Sequence, residues 1–164
     1  MHSFVSLDFE TADYRRDSAC SIGLVRVENN LIVQSLHALI RPPRRSFQFT
    51  DIHGITWGDV ADQPTFGELW DTIQPVIQDT EFIAAHNASF DRGVLYACCD
   101  VYGIVRPPHR FVCTVQLARQ TWQIHPTKLP NVCQYLGIDL QHHHALSDAK
   151  ACAQIVIAAK SRML

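Results

Sequence analysis

Phe4-Val5-Ser6-Leu7-Asp8-Phe9-Glu10 opens the chain and decides how the rest is read. Phe4-Val5-Ser6-Leu7 is short and mostly apolar, the pattern of a buried strand. Asp8-Phe9-Glu10 ends it. Residues two apart on a strand point to the same side, so Asp8 and Glu10 can converge on one point. Such a pair taken alone is usually ordinary surface, so its meaning depends on what the other elements bring to it.

Outward from that strand, residues 21–27 and 31–40 predict two more strands. The turn residues Glu28-Asn29-Asn30 between them make a hairpin. Arg41-Pro42-Pro43-Arg44-Arg45 ends the second of these strands, because proline cannot donate to a ladder. Residues 41–64 read as a long loop, a functional hint in a compact domain. Thr65-Phe66-Gly67-Glu68 is a capping box. Phe66, Leu69, Trp70, Ile73 and Ile77 follow at helical spacing, with Pro75 expected to kink the helix. Phe82-Ile83-Ala84-Ala85 predicts a fourth strand, and a helix follows from about Ser89 to Tyr102. Phe111-Val112-Cys113 predicts a fifth strand, with helices near 115–122 and 129–136 and a last one from about Ala145 to Ser161. A hairpin followed by alternating strands and helices implies an α/β domain, with a mixed central sheet and helices on both faces. The 164 residues fit one domain over 1–164, with no repeat or linker.

Composition narrows the class. Apolar residues make up 47% and charged residues 18%, which suits a soluble globular protein, and no apolar run approaches a membrane span. Met1-His2-Ser3-Phe4-Val5 lacks the basic start and apolar stretch of a secretory signal, so a cytoplasmic protein is expected. The six cysteines form no CxxC pair and read as buried reduced thiols. A net charge of −2 argues against gripping long duplex DNA by charge alone, though bound cations can reverse the sign of an acidic cleft. The clusters Arg41, Arg44, Arg45 and Arg106, His109, Arg110 read as solvated loops.

Two aspartates stand where the pattern calls for apolar residues. Asp91 precedes the stripe Val94, Leu95, Cys98, Val101 and Tyr102 by three and four residues, which puts it on the core-facing side of its helix. Asp148 heads the stripe Cys152, Ile155, Val156 and Ala159 in the same way. For either one alone, a contact with the helix dipole is the plainer reading. Four carboxylates at the ends of elements that pack together are another matter. Burying them is very costly unless cations pair them. Oxygen-only ligands suit Mg²⁺ or Mn²⁺ rather than zinc, and two such ions suit a phosphodiester displacement.

At these residues the sequence resembles the DEDDh (DnaQ-like) 3′–5′ exonuclease family, which includes the proofreading subunit of bacterial DNA polymerase III. The stretch Phe4–Thr11 resembles its first motif, Ala85-His86-Asn87-Ala88-Ser89-Phe90-Asp91 its second, and His143-His144-Ala145-Leu146-Ser147-Asp148-Ala149 its third. The resemblance covers nearly the whole chain. It implies an RNase H-like fold, a five-stranded mixed sheet whose second strand is antiparallel. It implies two Mg²⁺ or Mn²⁺ ions held by Asp8, Glu10, Asp91 and Asp148, with Asp8 touching both, and His143 as general base. Ile52-His53-Gly54-Ile55-Thr56 resembles the segment beside the terminal nucleotide, so Ile52 and His53, with Thr11 and Phe90, would line its pocket. Asn87 would order the loop before Asp91, by capping or by a supporting contact. The implied substrate is a single-stranded or frayed 3′ end of DNA or RNA, with DNA favoured and a DNA polymerase as a possible partner. No membrane is involved.

The run His142-His143-His144 leaves the base to be assigned. The family's histidine stands five residues before the last aspartate, which is His143. A sibling subclass has a tyrosine four before it, at His144. A histidine run also binds zinc, but no spaced Cys/His set completes such a site. The competing reading is a catalytically silent module of the same fold that binds nucleic acid or serves as a polymerase-associated scaffold. All four acids and the histidine are present, which favours the enzyme. An RNase H-like endonuclease fits the His-x4-Asp spacing and the His53–Thr56 segment less well.

Overall fold

The structure, a computed structural model, describes residues 2–162. Met1, which opens the segment read for a secretory signal, and Met163 and Leu164 of the 1–164 unit lie outside the described residues. Five strands, β1 (Ser3–Thr11), β2 (Ala19–Glu28), β3 (Leu31–Leu39), β4 (Phe82–Ala85) and β5 (Arg110–Cys113), form one sheet in the order β3-β2-β1-β4-β5 among the described residues. β2 is antiparallel to β1 and β3, whereas β4 runs parallel to β1 and β5. This is the mixed sheet that the element order called for. The hairpin closes through Asn29 and Asn30, at φ 52° and 66°. A two-residue turn that matches strand twist needs this left-handed pair.

Alternation along β1 sorts the two layers. Val5, Leu7 and Phe9 point to one face, where they meet Phe66, Ile73 and Ile77 of α3 (Phe66–Ile77) and Val94, Leu95 and Cys98 of α4 (Ala88–Val101). Phe4 points to the other face, where it joins Val25, Phe82, Cys152 and Val156 beneath α7 (Ala145–Arg162). Ser6 shares that second face and donates its hydroxyl to the Ala149 carbonyl at 2.6 Å. α5 (Thr114–Trp122) and α6 (Leu129–Leu136) pack behind α7 through Ala118, Val132 and Ile155. Asp8 and Glu10 continue the α7-side register of β1, so the strand aims them at the start of the last helix.

Several expectations shift in detail. β1 extends one residue beyond the expected Phe4–Glu10 at each end, from Ser3 to Thr11, which places both carboxylates inside the ladder. The 41–64 segment carries two one-turn helices, α1 (Thr50–His53) and α2 (Trp57–Val60), the second held by a capping box between Thr56 and Asp59. The Thr65/Glu68 capping box forms as read, and Pro75 sits within α3 without ending it. Val101 faces solvent, and Cys99 takes its place in the core. Arg44 is no solvated loop residue: it bridges Asp13 at 3.1 Å and Asp17, tying the 41–64 segment to the β1–β2 connection. Arg106 pairs with Asp100 and lies over Tyr96. All six cysteines are free, and five are buried, with Cys113 partly exposed. No helix among the described residues is long and apolar enough to cross a membrane.

Candidate active site

Three of the four acids meet. One carboxylate oxygen from each of Asp8, Glu10 and Asp148 lies within 4.8 Å of the others. Two come from β1 and one from the first turn of α7. That turn reaches the strand because Gly23 of β2 lets it: a Cβ there would sit 2.3 Å from the Ala145 carbonyl oxygen. Asp91, 2% exposed, stands next to this group rather than in it. Its Oδ1 accepts the Phe9 N–H at 3.0 Å, which clamps the N-terminus of α4 to the middle of the Asp8-Phe9-Glu10 run.

Crowding makes these acids hard to ionise. Burial, then the charges of Asp91, Asp148 and Glu10, hold the Asp8 carboxyl well above the usual range. Burial, Asp148 and Asp91 push Glu10 up to about 8. Burial pushes Asp91 up to about 8 against the Phe9 hydrogen bond, and the charge of Asp148 adds to it. Burial also raises Asp148, with His142 opposing. Oδ2 of Asp8 is buried and has no hydrogen-bond partner among the described residues. A buried anion with no donor in reach needs a cation. An all-oxygen donor set of this kind fits a hard divalent ion.

The loop before α7 folds back on Asp148. His143 adopts a left-handed backbone, φ 67°, uncommon for a residue with a Cβ. Its N–H then donates to Asp148 Oδ2 at 3.1 Å. His142 stacks on the His143 ring at 3.7 Å and brings Nδ1 to 3.4 Å from Asp148 Oδ1. His142, His143 and Asp148 thus make a second group whose ligand atoms lie within 4.8 Å, closer to a zinc-type set than the sequence suggested, and it shares Asp148 with the first. Burial and the neighbouring His142 lower the His143 pKa against the pull of Asp148, so its imidazole is neutral and able to accept a proton near pH 7. His144 turns away and stacks on His37 at 4.7 Å.

The remaining site residues take varied positions. His53 accepts the Ile55 N–H at Nδ1, 3.0 Å, and holds the Thr11 carbonyl through Nε2 at 2.9 Å. Its two nitrogens therefore join α1 to the end of β1, and the proton belongs on Nε2. Ile52 is 52% exposed and Phe90 36%, the latter with the Arg16 guanidinium over its ring at 5.7 Å, while Thr11 is buried. Asn87 makes no side-chain cap on α4; its left-handed backbone, φ 69°, turns the chain from β4 into the helix.

A cleft of about 650 Å³ opens beside the acids, lined by Asp8, Glu10, Asp148 and His143 and by a wall from α5 and the α5–α6 connection that carries Arg119 and Lys128. Sequence reasoning passed over that wall. An exposed arginine on an amphipathic helix and a lysine before the next helix look like any solvated cation. Only the fold brings them into the same cleft as the carboxylates.

Residues 5–156 match the RNase T family model, whose description is exonuclease. The chain is 33% identical over 162 residues to the PolC-type DNA polymerase III of Thermotoga maritima, covering 94% of this chain and 12% of that protein. It is 34% identical over 145 residues to exodeoxyribonuclease 10 of Escherichia coli K12, covering 83% of this chain and 59% of that one. It therefore spans less than two thirds of either relative. Exonuclease X, solved in complex with 5′ overhanging duplex DNA, superposes with a TM-score of 0.78 at 28% identity over 96% of this chain and 91% of that one. E. coli exonuclease I, solved with a dT13 oligonucleotide, superposes with a TM-score of 0.85 over 99% of this chain and 42% of that one; at 15% identity this speaks for the RNase H-like fold alone. With motif order, sheet topology and these likenesses in agreement, the chain belongs to the exonuclease family of DnaQ-like, DEDDh type.

Proposed function

We propose that this chain is a 3′–5′ exonuclease that hydrolyses nucleic acid from its 3′ end to nucleoside 5′-monophosphates, with DNA favoured over RNA, and that residues 1–164 work as one such domain. The observation that carries this reading is the convergence of Asp8, Glu10 and Asp148 within 4.8 Å around a buried, unpartnered Asp8 Oδ2. Asp8, Glu10 and Asp148 would hold divalent cations, Mg²⁺ or Mn²⁺, with Asp91 contributing the oxygen that Phe9 leaves free. Two such ions would lower the pKa of the attacking water and offset charge on the departing 3′ oxygen. His143, neutral near pH 7, takes the proton of the water as its oxygen attacks phosphorus; the bond from phosphorus to the 3′ oxygen breaks, and the 5′-phosphate leaves with the terminal nucleoside. Ile52 and Phe90 offer apolar surface to the terminal base, while Thr11 and His53 shape the floor beside it. The name of exonuclease X with its bound DNA, and the PolC-type relatives, support DNA as substrate and a polymerase as a possible partner. Free, mostly buried cysteines support a reducing, cytoplasmic setting.

The test follows matched DNA and RNA oligonucleotides, labelled at the 5′ or the 3′ end, with Mg²⁺ and with EDTA. A Mg²⁺-dependent ladder that shortens from the 3′ end is expected, faster on single strands and mismatched ends than on paired ones, since a paired end must first fray. Early release of the labelled 5′ nucleotide, efficient cutting of a closed circle, or full activity of Asp8→Ala in EDTA would overturn the reading.

A further inference from the structure

The wall of the cleft from α5 and the α5–α6 connection is built as well as charged. Arg119 Nε donates to Thr127 Oγ1 at 2.9 Å, and that hydroxyl donates to the Ile124 carbonyl at 2.6 Å. The Thr127 carbonyl in turn bonds His86 Nε2 at 2.8 Å, and His86 Nδ1 bonds the buried Thr114 hydroxyl at 2.7 Å. One edge of the guanidinium is thereby pinned to a network that reaches the end of β4, and its two terminal nitrogens are left for the cleft. Lys128 stands beside it on the same wall. Arg26, Arg41, Arg44 and Arg106 all pair with carboxylates, but among the described residues neither Arg119 nor Lys128 has an acidic partner. A pre-oriented guanidinium with a free fork matches a phosphate in shape and charge.

Position says which phosphate. Thr11, Ile52, His53 and Phe90, the residues proposed for the terminal nucleoside, do not line this cleft, whereas Asp8, Glu10 and Asp148 do. A strand whose last nucleoside lies on the Thr11 side has its scissile phosphate at the acids and its remaining length in the cleft. We infer that Arg119 and Lys128 form an anion subsite that grips the phosphodiesters of the retained strand, upstream of the bond being cut. The inference rests on the proposed exonuclease reading and adds to it the means by which a chain of net charge −2 holds a polyanion.

The test separates binding from turnover. Binding of 5′-fluorescein-(dT)10 to the full chain is measured by anisotropy at several salt concentrations, with Ca²⁺ in place of Mg²⁺. Arg119→Gln and Lys128→Gln should each weaken binding roughly tenfold and make the salt dependence shallower by about 0.7 in slope, the increment for one phosphate contact on a single strand. Arg119→Lys, which keeps the charge, should recover much of the loss. In Mg²⁺, the loss in kcat/KM on (dT)10 should exceed, by about tenfold, the loss on thymidine 5′-monophosphate p-nitrophenyl ester, which has no upstream phosphate. Equal losses on both substrates, or an unchanged salt slope in both variants, would overturn the subsite. A wild-type chain that binds (dT)10 with the expected charge dependence but hydrolyses neither substrate would remove the exonuclease proposal and leave the anion subsite standing.

Discussion

His143 sits among three imidazoles with different fates, and that difference can be measured. Its ring is exposed beside Asp148, that of His142 approaches the same carboxylate at 3.4 Å, and that of His144 is stacked on His37. His143→Ala should lower kcat by roughly 10²–10⁴-fold with little change in KM, the usual contribution of a general base. His144→Ala should cost less than about tenfold. If His142→Ala showed the large loss and His143→Ala the small one, the base would be His142. The resemblance to the family's third motif, whose histidine stands five residues before the last aspartate, singled out the loop, but the left-handed turn at residue 143 that brings its N–H to Asp148 had no signature in the sequence. Glu10 offers a second test. Its pKa in the fold, about 8, lies above its ordinary 4.5, mainly through burial. The folded chain therefore keeps that proton to higher pH than the unfolded chain does. Stability without metal falls as pH rises from about 4.5 through about 8, and is level above that. Glu10→Gln removes the titration, so in EDTA it should be more stable than wild type at pH 8 by on the order of 1–3 kcal/mol, with the gap closing toward pH 5. Urea unfolding at both pH values decides it; a gap independent of pH would mean that Glu10 ionises as freely as an exposed glutamate.

β2 and α7 meet backbone against backbone beside the site, at Gly23. At Gly23 the intruding atoms would be backbone, the Ala145 carbonyl and the Leu146 nitrogen at 2.3 Å and 2.7 Å, so no side chain can swing aside to admit a Cβ. Gly23→Ala should destabilise by about 2–3 kcal/mol, the upper range for overpacking, and should displace the turn that carries Asp148. A urea midpoint within error of wild type, with activity retained, would show that α7 can retreat without harm. Elements with strong periodicity were legible. The Cys152–Ala159 stripe, the Thr65 capping box and the Asn29-Asn30 turn all appear where read, because local chemistry and burial agree there. α1 and α2 were not, since one turn of four residues has no period to detect; α1 is tied down by a tertiary contact, His53 on the Thr11 carbonyl, and α2 by the local Thr56–Asp59 capping box, a signal the reading passed over. β1 was legible through Glu10. The one further residue, Thr11, joins the ladder by pairing with Ala19 of β2 across a register irregularity after Glu10, which has no signal in the sequence.

Across the whole molecule, the acids join segments that are far apart in sequence. Asp8 and Glu10 belong to the first strand, Asp91 to α4 and Asp148 to α7, on opposite sides of the sheet, and each layer has its own core. The folded chain assembles a buried group of like charges that the unfolded chain never has to form. A cation that binds this group, and not the separated carboxylates of the unfolded state, stabilises the fold by mass action, by about 2.7 kcal/mol at a hundred times its Kd. For a chain of this size that corresponds to a rise in Tm of roughly 5–10 °C. MgCl₂ or MnCl₂ should raise Tm in a concentration-dependent way, measured by calorimetry against NaCl of equal ionic strength. Asp8→Asn should behave differently on two counts. Without metal it should melt above wild type at neutral pH, because an amide has neither to lose charge nor to take up a proton when the site is buried. With metal its Tm should move far less, because the residue at the centre of the group has lost an anionic ligand. The response should also be larger at pH 8 than at pH 5, where Glu10 and Asp91 keep their protons and the ion must displace them. A wild-type Tm that does not respond to either ion at pH 8 would mean that the four acids do not form a cation site.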